Sequence, residues 1–124
     1  MMKFFKCNNE ALVIPITHNF TSESNLKDAD EITPNSMDAA KEKHVPVVIQ
    51  TGKTVTVNVG SVEHPMTEAH SITTVILETQ NGGQFKYLSH DEQPIVHFDL
   101  ASGDKAVAAY AYCNLHGLWK VDID

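Results

Sequence analysis

The strongest pattern in the chain begins near residue 44, where apolar residues recur at every second position. Thr54-Val55-Thr56-Val57-Asn58-Val59 alternates strictly and puts Val55, Val57 and Val59 on one face, the two-residue period of a half-buried strand. Pro94 to Leu100 repeats it, with Val96, Phe98 and Leu100 inward and His97 and Asp99 outward. Val45-Pro46-Val47-Val48-Ile49 is short and β-branched, and Pro46, which has no N–H to donate, suits a sheet edge or a strand start. Ile72 to Glu78 runs into the hairpin signal Asn81-Gly82-Gly83, and Gln84 to Leu88 returns with Phe85 and Tyr87 on one face. After the turn Ala101-Ser102-Gly103-Asp104, Ala106 to Tyr112 and Leu118 to Ile123 form a last hairpin around Cys113 to Gly117. About seven short strands with no helical crossovers between them predict an all-β chain, an antiparallel sandwich of two sheets.

The first forty residues lack a clear period. Met2 to Phe5 and Leu12 to Ile16 read as short strands joined through Cys7-Asn8-Asn9-Glu10, and the stretch from Thr17 to Lys41 is polar. A helical turn over Ser36 to Glu42, capped by Ser36 or Asn35, fits its end. The expectation is an N-terminal arm over 1–40 and a folded domain over 41–124. An arm too polar for its own core implies packing between subunits, hence a homo-oligomer, dimer or tetramer.

Composition narrows the function classes. At 124 residues with 42% hydrophobic and 20% charged, the chain suits one globular domain. A net charge of −7 disfavours nucleic acid, whose phosphates need a basic surface. No apolar run reaches the roughly 20 residues of a membrane span. The start Met-Met-Lys-Phe-Phe-Lys is followed by no small-residue cleavage site, so a cytoplasmic location is expected. In that reducing setting a Cys7–Cys113 disulfide is the weaker expectation.

The candidate chemistry lies in the histidines. A single histidine is more often a surface or core residue than a ligand, and His18, His90 and His97 keep that reading. His44, His64, His70 and His116 differ because all four fall at strand ends or in loops, which cluster at the ends of a sandwich. Cys113 stands three positions before His116. One thiolate and four imidazoles fill five positions around a transition metal and leave an octahedral ion one open position. Structural zinc takes four ligands in a tetrahedron and fits five donors poorly.

Three motifs sharpen this. Glu42-Lys43-His44-Val45-Pro46, then Glu63-His64-Pro65-Met66 with His70 six residues after His64, then Cys113-Asn114-Leu115-His116-Gly117-Leu118-Trp119 together resemble the superoxide reductases, the iron domain of neelaredoxins and desulfoferrodoxins. The resemblance covers about residues 36–124. It implies an immunoglobulin-like seven-stranded sandwich and one mononuclear iron per chain. His44, His64, His70 and His116 would be its equatorial ligands and Cys113 the axial thiolate. It implies one-electron reduction of superoxide to hydrogen peroxide without release of dioxygen, with an external donor such as rubredoxin. Lys43 would attract the anion and assist its protonation, and Glu42 would be the carboxylate that closes the open position of ferric iron. Asn114 and Leu115 would shape the thiolate's surroundings through their backbone N–H groups, and Trp119 reads as sandwich core. Dismutase-like activity, or electron transfer through the same centre, stays open as an alternative.

The chain departs from desulfoferrodoxins at its start. Their N-terminal module holds a second iron through four cysteines. Here Lys6-Cys7 resembles its opening, Glu10 stands where the second cysteine would be, and no Cys-Cys pair follows. One cysteine cannot hold a rubredoxin-type iron. Cys7 is expected to be a plain thiol in a one-iron form.

Overall fold

The computed structural model describes residues 2–8, 11–17 and 28–124; His18 and Glu10 lie outside them. The chain forms two compact units, Met1–Thr33 and Pro34–Asp124. The first contains a small antiparallel sheet of β1 (Phe5–Cys7), β2 (Ala11–Val13) and β3 (Ala29–Glu31), in the order β2-β1-β3. Relative to the apolar runs, β1 begins later and β2 begins and ends earlier, with Phe5 paired to both Val13 and Glu31. Cys7, an unpaired thiol, closes β1.

In the second unit α1 (Lys41–His44) precedes β4 (Pro46–Thr51), β5 (Thr54–Val59), β6 (Ile72–Thr79), β7 (Gly82–Tyr87), β8 (Ile95–Asp99), β9 (Ala106–Cys113) and β10 (Gly117–Asp122). Every ladder among them is antiparallel, in a four-stranded sheet ordered β10-β9-β6-β7 and a three-stranded sheet ordered β4-β5-β8. The alternating residues behave as the two-residue period requires. Val55, Val57, Val59, Val96 and Phe98 from one sheet meet Val75, Leu77, Ala109 and Ala111 from the other in a single buried cluster, while His97 and Asp99 face out. Pro46 opens β4, an edge strand, where its missing N–H costs no ladder bond.

Three local expectations shift. The helical turn falls on Lys41–His44 and carries no side-chain cap. Asn35 is occupied elsewhere: at φ 62° its amide accepts from Lys120 N–H at 2.8 Å and donates to Lys120 O at 3.1 Å, tying it to β10. The β6–β7 turn sits on Gln80-Asn81, because Thr79 pairs with Gly82 and both glycines enter β7. Phe85 and Tyr87 do share a face, but that face is open to solvent.

Register brings the chemistry to one end. Pro46, two residues after His44, pairs with Val59, which leads into the loop bearing His64 and His70. Ile72, two residues after His70, pairs with Cys113, which pairs in turn with Gly117.

Candidate metal centre

Each donor is positioned by a local device. His44 is the last residue of α1, and its Nδ1 lies 2.6 Å from the carbonyl of Ala40 one turn back. His64 Nδ1 lies 2.7 Å from Pro65 O. A carbonyl only accepts, so in both rings Nδ1 carries the proton and donates, and Nε2 is left with a bare lone pair. His70 closes a tight turn with Thr67, in which Thr67 N–H donates to His70 O at 2.9 Å and His70 N–H lies 3.1 Å from Thr67 Oγ1. Cys113 precedes the three-residue turn of the β9–β10 hairpin and His116 ends it, and Gly117 supplies the positive φ of 75° on which such a turn closes.

These pieces converge. Donor atoms of His44, His64, His70 and Cys113 lie within 4.8 Å of one another. His116 completes the group, its Nδ1 3.2 Å from His44 Nε2 and 4.0 Å from Cys113 Sγ. The four rings stand like paddles about a centre. Neighbouring rings are nearly perpendicular, at 78° to 86° with centroids 4.5 to 5.0 Å apart, whereas His44 and His70 face each other across 6.4 Å. His44, His64 and Cys113 are buried.

The donor set fits a bound cation on two counts. His44 Nε2 and His64 Nε2 approach to 3.0 Å with both protons committed to carbonyls on the far side, so two lone pairs point at one another. His70 Nε2 is buried without any hydrogen-bond partner, a state that costs roughly 1–3 kcal/mol unless something binds it. Burial, reinforced by the neighbouring rings, lowers the pKa of His44 and His70 and takes His64 down to about 4. Neutral imidazole is the form that ligates. For Cys113 burial pushes the thiol pKa up, opposed by hydrogen bonds from the Leu115 and His116 backbone N–H groups. A metal ion would supply the missing charge that makes it a thiolate.

Glu42 and Lys43 lie on α1 beside His44, Glu42 exposed and Lys43 half-buried. Neither side chain forms an ion pair or hydrogen bond among the described residues. The charge of Lys43 helps depress the His70 pKa, and that of Glu42 works the opposite way at His44. His97 is placed apart, exposed on β8 with Nδ1 2.9 Å from Thr56 Oγ1.

The desulfoferrodoxin family model matches residues 36–122. The chain belongs to the desulfoferrodoxin family. It is 37% identical to the desulfoferrodoxin of Syntrophotalea carbinolica over 95% of this chain and 94% of that protein. With the desulfoferrodoxin of Clostridium acetobutylicum it shares 46% identity over 75% of this chain and 72% of that one. The crystal structure of the superoxide reductase from Treponema pallidum superposes with a TM-score of 0.82 at 38% identity, covering 98% and 99% of the two chains. Cys7 is the sole cysteine in the first unit, so that unit lacks the four thiolates of a rubredoxin-like centre.

Two residues differ from their sequence-based reading. Trp119 is fully buried, yet it is more than core: its indole stacks on His44, with centroids 4.9 Å apart and planes at 29°, and its Nε1–H donates to His116 O at 2.9 Å. Its place three residues after His116 is the only sequence signal for that role. Asn114 does not direct its N–H to Cys113. That group donates to Ser71 O at 3.2 Å, and the hydrogen bonds to Sγ come from Leu115 and His116.

Proposed function

We propose that this protein is a superoxide reductase in which His44, His64, His70, His116 and Cys113 would hold one iron. The observation that carries the reading is the convergence of two unprotonated Nε2 atoms, the orphaned Nε2 of His70 and the buried sulfur of Cys113 on one point. When bound, iron would supply one-electron redox chemistry, the single electron that superoxide needs.

The chain's own residues do the rest. Ala40 O and Pro65 O fix the tautomers of His44 and His64, so that both present Nε2 inward. The Leu115 and His116 N–H groups hold the Cys113 sulfur by hydrogen bonds and moderate its electron donation. Lys43 offers a local positive charge on a chain of net charge −7, which a small anion needs for approach. Its ammonium, unpaired among the described residues, would also steer a proton donor toward the product. Glu42, exposed on the same helical turn, would offer a carboxylate to the bound iron after turnover. Superoxide takes up one electron and two protons and leaves as hydrogen peroxide.

The electron comes from an external one-electron carrier such as rubredoxin, since the first unit holds no metal-binding cysteine set. We place the protein in the cytoplasm as a homo-oligomer. No helix among the described residues is long and apolar enough to cross a membrane.

Product analysis tests the reading. Iron-loaded, prereduced protein given a measured pulse of superoxide should yield about one peroxide per superoxide and no dioxygen. Dioxygen at half the superoxide consumed would show dismutation and overturn the assignment.

A further inference from the structure

Two of the four imidazoles are oriented by a hydrogen bond from the ring itself, and a third is held through its backbone. His44 and His64 each donate Nδ1–H to a carbonyl, and His116 is fixed within a hairpin turn whose carbonyl is held by Trp119. His70 has neither a ring hydrogen bond nor a place in the hairpin. Its buried Nε2 has no partner, and none of the side-chain hydrogen bonds among the described residues reaches its ring. Its position relative to the other donors is therefore set through its backbone.

That backbone is clamped on both sides by Asn114. The Asn114 amide donates Nδ2–H to Ala69 O at 3.0 Å and accepts Ser71 N–H on Oδ1 at 3.0 Å. Its own N–H donates to Ser71 O at 3.2 Å. Three hydrogen bonds thus bracket His70, and all three come from the residue next to Cys113. The amide is suited to the task because it offers a donor and an acceptor in one plane, matched to the carbonyl of one residue and the N–H of another.

We propose that Asn114 is a positioning residue that sets the location of the His70 ring relative to the Cys113 sulfur. The inference rests on the metal assignment proposed above. Without the amide, the Ala69–Ser71 segment loses two of its three ties to the hairpin, and His70 binds the metal from a looser loop. Losses at groups that orient a metal ligand run from about 10- to 100-fold in metal affinity. Because Asn114 is exposed and water competes for its bonds, the lower end of that range applies.

The test is a double-mutant cycle on full-length, ferrous-iron-loaded protein, read as the rate of iron release to a ferrous chelator under anaerobic conditions. Asn114→Ala should release iron about tenfold faster than wild type, with an unchanged circular dichroism spectrum. In a His70→Ala background, Asn114→Ala should add nothing, because the ligand it positions is already gone. Asn114→Ser is run beside it; its hydroxyl cannot serve Ala69 and Ser71 together, so it should behave alike and stand in if the alanine variant fails to fold. Unchanged release in the single variants overturns the proposal. So does an equal acceleration in the His70→Ala background, which would mean that Asn114 acts through the hairpin itself. Failure of the enzymatic reading looks different: wild-type protein would retain no iron, or would retain it and evolve dioxygen from superoxide.

Discussion

Two of the three stretches that deliver donors to the site are built on opposite principles. The β9–β10 hairpin carries Cys113 and His116 across a three-residue turn, with six cross-strand pairs from Gly117↔Cys113 to Asp122↔Ala108 fixing its register. The β5–β6 loop carries His64 and His70 through residues 60–71 with no ladder of its own. Its shape comes from single tethers: Val62 N–H to Glu42 O at 2.9 Å, the Thr67–His70 turn, and the Asn114 amide. The hairpin is rigid by repetition. The loop is held at a few points, so each point matters more.

The largest expected effect strikes the hairpin. Cys113→Ser removes the only thiolate, and the ferric protein should lose its long-wavelength thiolate-to-iron absorption altogether while keeping its fold, as read by visible and circular dichroism spectra. Persistence of that band would place the sulfur outside the site.

Next comes the loop's first tether. Gly60 has φ of 88°, and a Cβ there would sit 2.7 Å from Lys43 O and 2.8 Å from Glu42 O, and closer still to Val62 O. Gly60→Ala should destabilise the chain by roughly 2–5 kcal/mol in chemical denaturation, combining the left-handed penalty with overpacking. Gly52, at φ 60° with open space around it, isolates the first term: Gly52→Ala should cost only about 1–2 kcal/mol. Equal costs at the two sites would remove the crowding argument.

Acid should act on the histidine side. In metal-free protein the His64 pKa is about 4 against an ordinary value of 6.5, and those of His44 and His70 are also lowered. Between these values the unfolded chain binds protons that the folded chain refuses, so unfolding free energy falls as pH drops. The slope is about 1.4 kcal/mol per pH unit for each such proton. The loss begins below pH 6.5, and the contribution of His64 flattens near pH 4. Replacing His64 by Gln should flatten the profile; an unchanged slope would exclude that ring as its source.

Trp119→Phe is the mildest change. It keeps an aromatic face for His44 and forfeits the bond to His116 O, so about 1 kcal/mol of stability should go. A loss several times larger would show that the indole's volume, not its N–H, holds the hairpin.

The same contrast explains what could be read from the chain. Strict alternation at Val55, Val57 and Val59 and at Val96 and Phe98 identified core strands, because a period of two is a property of neighbouring residues. The family resemblance held for the same reason, since each of its three motifs, at Glu42-Lys43-His44, Glu63-His64-Pro65-Met66 and Cys113 to Trp119, is local, and the family model spans all three. Asn35 misled the reading because its partner is Lys120, eighty-five positions away, and no local rule can distinguish a helix cap from a tie to a distant strand. Trp119 and Asn114 escaped for that reason too. A tryptophan in a strand and an asparagine in a turn are ordinary by composition, and only tertiary contact with His44, Ala69 and Ser71 gives them their roles.

The most direct test of the central claim is the visible spectrum of anaerobically reduced, iron-loaded protein before and after one equivalent of superoxide. The account predicts a nearly colourless ferrous protein that turns blue, through a red-region thiolate-to-ferric absorption generated by superoxide itself. Iron that stays colourless after superoxide would mean that Cys113 is not its ligand or superoxide not its oxidant, and the reductase assignment would fall.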